Sequence, residues 1–372
     1  MKTGLTFSYI YILVFIFLQF ISLLSKNLNS KKIFTFELIL LDLSLAIIAA
    51  HIYPSDVWDL SRHLANVQMA QSSLYGSYVE KVSSDGLYLY EAIVLLAAKV
   101  NMPHLLPFII VLITFLALSG IILVMYNYTS RIQLLVFLLL YPALSGIENI
   151  FSGLRTTCAY TIIIFAMINF IYNKKSSFTL KVFGIIVCFV ISLGLHPSVW
   201  TLVIITILFF TKLRVKLICP ILVLWSLFSQ TIGNILISLP MPLAYIGQKL
   251  VLYIGKSIMD TRLLYITFTF IIFTVLQLIF IYKNKGNLSR NDGQYLRYLS
   301  FVLAFAIGSF TMPELLNRSI IMLSPLMLPL IMIEREVFST RVYILILSVD
   351  LLYAFVLLYY AYYTFSLYAI IA

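Results

Sequence analysis

The sequence predicts an all-α polytopic integral membrane protein, with about twelve transmembrane helices plus one short amphipathic or re-entrant outer helix. Three observations predict it. Of the 372 residues, 62% are hydrophobic and only 10% are charged, with mean hydropathy +1.05; a soluble domain carries about 25% charged residues. Apolar runs near the roughly 20 residues needed to cross a bilayer recur from end to end. The short connections between them are rich in Lys and Arg, as cytoplasmic loops are. The short alternating segments of a membrane barrel are absent.

The first span, 5–24, follows a single lysine, Lys2. Its core is longer than that of a secretory signal, and no small-residue cleavage site precedes Lys26, so it reads as a retained helix. Further spans fall at 33–50, 105–126, 131–147, 153–172, 178–195, 197–211, 214–238, 261–282, 295–312, 318–333 and 341–366. No boundary for a soluble domain appears, so 1–372 is a single transmembrane domain with outer loops at 51–104 and 239–260. Within the first loop, LYLYEAIVLLAAKV (87–100) is too short to cross and contains Glu91 and Lys99.

Positive charge sets the orientation. The stretches SKNLNSKK (25–32), NKKSSFTLK (173–181), KLRVK (212–216), KNKGNLSR (283–290) and EREVFSTR (334–341) are basic and belong in the cytoplasm. The net charge of +11 therefore points to membrane topology and not to nucleic acid. With residue 87 outside and residue 173 inside, the chain crosses an odd number of times between them. Segment 87–100 is the one that does not cross, and it lies at the interface or re-enters. That parity places Glu148 and Arg155 on the outer side, together with His196, Glu314 and Arg318.

These outward residues are the candidate site. Asp59, Arg62 and His63 share one helix face at i, i+3 and i+4. A carboxylate there suits deprotonation of a sugar hydroxyl, and an arginine suits a phosphate through paired hydrogen bonds. The same pattern also fits a solvated surface helix. Arg155 opens a span, where a charge costs roughly 2.5–3.5 kcal/mol unless it snorkels. It reads either as an interfacial anchor or as an anion contact beside a helix N-terminus. His196, between Gly194 and Pro197, is a turn residue or a proton carrier. Glu314 and Arg318 are spaced to pair on one helix face. Arg262 closes the second outer loop. Asp350, alone in the last span, is assigned no role. Cys158, Cys188 and Cys219 have no paired spacing and read as small core residues. No Walker A loop, dinucleotide fingerprint or zinc-ligand spacing appears, so no cofactor or metal is expected.

Taken in order, DLSRH (59–63), FSGLRTTCAYTIIIFAM (151–167), the basic NKK turn, LGLHPSVW (193–200) and LNRSIIM (316–322) resemble the EpsG-like branch of the Wzy-type polysaccharide polymerases. The resemblance runs from Asp59 to Arg318. The chain departs from that branch where an acidic-proline motif is expected: SSDGLYLYEA offers Asp85 and Glu91 and no proline. The resemblance implies a glycosyltransferase of the bacterial cytoplasmic membrane. It would join undecaprenyl-diphosphate-linked oligosaccharide repeats at the outer face, releasing undecaprenyl diphosphate. Arg155 and Arg318 would hold the diphosphate with help from Arg62. Asp59 or His196 would take the acceptor proton, with His63, Glu148, Glu314 and Arg262 in support. Membrane lipid, a chain-length regulator and a flippase are the implied partners. Two other readings remain open: a polyprenyl-phosphate-dependent single-sugar transferase, and a lipid-linked oligosaccharide flippase.

Overall fold

The computed structural model describes residues 31–54, 59–72, 87–211, 213–240, 243–254, 261–284 and 288–371. The expected span 5–24, and Asp56, Trp58, Tyr75, Tyr78 and Asp85, lie outside them. The described chain forms sixteen α-helices, with short 3-10 turns at Pro197–Val199 and Ser324–Leu326. These are α1 (Lys31–Ala50), α2 (Asp59–Gln71), α3 (Tyr88–Lys99), α4 (Leu105–Met125), α5 (Arg131–Ser145), α6 (Ile147–Phe151), α7 (Leu154–Tyr172) and α8 (Phe178–Leu195). They continue with α9 (Trp200–Phe210), α10 (Val215–Ile237), α11 (Leu243–Ile254), α12 (Thr261–Lys283), α13 (Arg290–Gly308), α14 (Pro313–Leu323), α15 (Met327–Val337) and α16 (Thr340–Tyr368). One small antiparallel ladder, Ile52–Pro54 (β1) with Ala369–Ile371 (β2), is the exception among the described residues.

Among the described residues, eight helical segments are long and apolar enough to cross a membrane: α1, α4, α7, α8, α10, Leu264–Lys283 of α12, the continuous Pro313–Val337, and Thr340–Tyr359 of α16. This makes the chain a helical membrane-embedded protein. The other helices differ in physical ways. α5 and α9 are apolar but short, and α13 carries Arg290, Asp292 and Arg297 in its first half. α3 has 12 residues, or roughly 18 Å, well under the roughly 30 Å of a bilayer core.

Burial sorts the bundle from centre to rim. The spanning windows of Pro313–Val337 and α7 are 89% and 72% buried, whereas those of α8 and α10 are 17% buried. The former are central, and the latter turn apolar side chains outward. Helix starts follow their caps. Ser130 and Gln133 close a capping box on α5, as Ser289 and Asp292 do on α13, and the Ser177 hydroxyl accepts from the Leu180 N–H of α8.

Successive long helices run antiparallel, so their connections collect at two ends. At one end Lys31 Nζ donates to Leu123 O, Tyr172 Oη donates to Asp292 Oδ1 at 3.0 Å, and Arg297 Nη2 donates to Leu213 O at 3.0 Å. At the other end lie α2, α3, the start of α7, the end of α8 and the start of α14.

The 239–260 segment is not simply a loop. It contains α11, which folds back against α10. A Cβ on Gly247 would sit 2.6 Å from Gly233 O, and one on Gly233 would sit 2.7 Å from a Val251 methyl. Small residues let these two backbones meet, as they do where membrane helices cross. α11 has 12 residues, too few to span. Asp350, for which the sequence offered no partner, accepts from Gln277 Nε2 at 3.3 and 3.4 Å. Cys158 is buried, and all three cysteines are free thiols.

Candidate functional site

α2 begins with Asp59, a carboxylate placed where the helix dipole favours negative charge. Its spacing brings a guanidinium and an imidazole onto that carboxylate. Arg62 Nη2 bonds Oδ1, and His63 Nε2 lies 3.4 Å from Oδ2. The two contacts differ in surroundings. The Arg62 side chain is 77% exposed, so water screens its pair, whereas His63 is 2% exposed.

His63 then reaches a residue that the sequence did not single out. Its Nδ1 lies 2.6 Å from the Tyr90 hydroxyl of α3, which also accepts from Asn66 Nδ2 at 3.4 Å. The Arg155 guanidinium lies over the Tyr90 ring, 4.3 Å from its centroid. Tyr90 therefore joins the histidine of α2 to the arginine that opens α7. A second tie holds the same segments together: Leu60 N–H donates to Ser152 Oγ at 3.0 Å. That bond satisfies one of the first-turn N–H groups that a helix leaves open.

The electrostatics follow from this packing. Burial works against ionising Asp59, but the His63 hydrogen bond and the charges of His63, Arg62 and Arg155 hold its carboxyl well below the usual range. Burial lowers the His63 imidazole, with Asp59 opposing and Arg155 adding to the fall. Burial pushes the Tyr90 phenol up to about 12, against the pull of Arg155. At neutral pH the site therefore holds an ionised carboxylate, a neutral imidazole and a phenol that keeps its proton. That proton is set to donate to Nδ1, leaving the other ring proton on Nε2, 3.4 Å from Asp59 Oδ2.

His196 forms a second group. It ends α8, and its Nδ1 accepts from Ser198 N–H at 3.1 Å and bonds Ser198 Oγ at 2.7 Å. Tyr160 of α7 donates to that same hydroxyl at 2.8 Å. Because a backbone N–H can only donate, a neutral His196 carries its proton on Nε2. The two groups share scaffolding. Tyr160 is five residues after Arg155 on α7, roughly 7.5 Å along the axis. α3 also rests on the last turn of α8, where a Cβ on Gly194 would lie 3.0 Å from Leu89 Cβ.

Arg318 belongs to α14, which packs against α7. Its Nε and Nη2 both donate to Glu314 Oε1, at 3.2 and 3.0 Å. The side chains of Glu148 and Arg262 lie outside those described. The structure thus brings Asp59, Arg62, His63 and Arg155 together, places His196 on the neighbouring level of α7, and sets Arg318 with Glu314. Sequence reasoning missed Tyr90, Ser152 and Tyr160, which supply contacts between segments; Ser198 was readable as a capping residue, but not as the partner of Tyr160.

An apolar cavity of about 250 Å³ adjoins the His196 group. Pro197 and Ser198 form part of its wall, with α9, α10, α11, α13 and, through Leu315, α14. Among the described residues no cluster of three or more His, Cys, Asp or Glu is placed to hold a metal ion. No protein-family model matches the chain, and no curated protein or solved structure matches it significantly.

Proposed function

We propose that this protein is a Wzy-type polymerase. In this reading it joins undecaprenyl-diphosphate-linked oligosaccharide repeats at the outer face of a bacterial cytoplasmic membrane. The observation that carries the reading is the network Asp59–His63–Tyr90–Arg155. It commits buried contacts to holding a carboxylate and an arginine at one end of a membrane bundle. The described basic residues of three connections, Lys174 and Lys175, Arg214 and Lys216, and Lys283 with Arg290, lie at the other end, so a cytoplasmic assignment for them puts this network outside.

The chemistry asks for such groups. An acceptor hydroxyl oxygen attacks the anomeric carbon of the donor. The bond from that carbon to the diphosphate breaks, and its electron pair leaves with undecaprenyl diphosphate. Negative charge grows on the leaving group, where Arg155 and Arg318 stabilise it. His196 fits there as a donor through Nε2–H. The acceptor proton goes to Asp59, an ionised carboxylate of the network that water still reaches. Arg62 competes with the proton for Asp59, and His63 orients it. No nucleotide is required, because the diphosphate linkage is already activated.

Arg155→Ala should abolish chain elongation in cells that still make the protein and the lipid-linked repeats, leaving single repeats at the surface. Sizing the surface glycan checks this, and a normal long-chain ladder from that variant sinks the reading. A single-sugar transferase would instead give a product of fixed size. Loss of a flippase would trap repeats inside the cell.

A further inference from the structure

The cavity beside His196 has the make-up of a lipid subsite. Its volume of about 250 Å³ exceeds the roughly 150 Å³ at which a Leu/Ile/Phe-lined void stays dry and takes an apolar guest. Its lining is apolar except for a few groups, and most of these are engaged. The Thr201 hydroxyl donates to Ser198 O at 2.8 Å, and Ser198 Oγ is held by His196 and Tyr160. Water would find few partners there. Two lining residues, Ile204 and Ile232, are 52% and 40% exposed on the bundle surface, so the cavity opens sideways into the surrounding apolar phase. One polar group does lack a partner: the Trp225 indole N–H is buried and bonds nothing among the described residues.

We propose that this cavity takes the diphosphate-proximal isoprene units of a polyisoprenyl diphosphate, with the headgroup at the His196 end. The proposal rests on the polymerase reading and deepens it. A guest with a polar head suits it better than a wholly apolar molecule, because the unpartnered Trp225 N–H belongs to a lining residue. Leu315 borders the cavity, and Arg318 lies one turn further along the same helix face. The Arg318–Glu314 pair and the His196 group thus stand beside an apolar slot, and an anionic head on an apolar tail would compete with Glu314 for the arginine. The free indole N–H offers a donor to an oxygen of that head. Gly308 keeps the slot in shape: a Cβ there would lie 2.2 Å from Leu222 O and 2.7 Å from the Trp225 ring.

The chain has three tryptophans, and Trp200 and Trp225 both line the cavity. In a Trp58→Phe background their emission reports on it. Titrating undecaprenyl diphosphate into the purified protein in detergent should give a saturable emission change. Inorganic diphosphate should give none, and phosphatidylglycerol should not displace the probe. The double variant Ile232→Phe/Leu236→Phe, which fills the slot, should raise the half-saturation concentration by about tenfold. Equal displacement by phosphatidylglycerol, or unchanged binding by a filled variant that melts like the parent, overturns the proposal. Should the filled variant fail to fold, a photoreactive group on the first isoprene unit serves on the unmodified protein. Adducts on α9 or α10 support the proposal, and adducts confined to other helices defeat it. Normal elongation by Arg155→Ala would remove the polymerase reading while leaving the emission change standing. A filled variant that binds and elongates normally would do the reverse.

Discussion

Tyr90 meets one partner 27 positions before it and another 65 positions after it, with different parts of the same side chain. Its hydroxyl serves His63 and its ring face serves Arg155. The two contributions separate by substitution. Tyr90→Phe removes a hydrogen bond of about 1 kcal/mol and keeps the ring. Tyr90→Leu also removes a cation–π contact of roughly 0.5–2 kcal/mol. Elongation measured by glycan sizing should fall modestly for Phe and much further for Leu. An equal loss for both would mean that the ring face does not position Arg155. His63 carries a pH dependence of determinable sign. Its folded imidazole binds a proton less readily than the ordinary value of 6.5 allows, so the unfolded chain takes up protons first as acid is added. The stabilisation is fully present above pH 6.5 and is lost as pH falls below it toward the folded value. Thermal melts from pH 7.5 to 5 should show the parent losing stability more steeply than His63→Gln. Arg155 was legible in the sequence because a charge opening an apolar run is costly. Tyr90 was not, since a tyrosine in LYLYEA looks like any interfacial aromatic until α7 is folded against α3.

Helix α11 shows what periodicity leaves out at the scale of an element. Segment 239–260 breaks its apolar residues with Pro240, Pro242, Gly247, Lys249, Gly255 and Lys256, and it reads as a loop. The structure uses Gly247 for close approach to Gly233 of α10, a contact that depends on tertiary pairing. Gly308 does the same between α13 and α10. By contrast, nothing lies within 4 Å of a Cβ added at Gly184. Gly308→Ala should therefore destabilise the protein by about 1–3 kcal/mol through overpacking. Gly184→Ala, in the middle of α8, should be neutral or slightly stabilising. Melting temperatures of the two variants in one detergent test this, and equal shifts would show that the α10–α13 crossing is looser than its distances indicate. The long apolar helices were readable because each has about the length a bilayer demands. α5 and α9 were also identified, though 15 and 11 residues make them short for that role.

Among the described residues most charged side chains gather at two ends of the bundle, with Asp42 and Asp350 buried within it, and the polymerase reading depends on which end faces out. In a variant lacking the native cysteines, Arg62→Cys should react with an impermeant thiol reagent added to intact cells. Lys174→Cys should react only after the membrane is opened, and the opposite pattern would invert the topology. The candidate site's residue types were visible along the chain, but their grouping was not, because it comes from helices that meet only after the bundle closes. The sideways opening past Ile204 and Ile232 has a kinetic consequence. Whatever enters there arrives by diffusing within a two-dimensional sheet, so its encounter rate follows mole fraction in that sheet and not molarity in water. Adding empty micelles at constant total reactant would then slow the reaction by surface dilution alone.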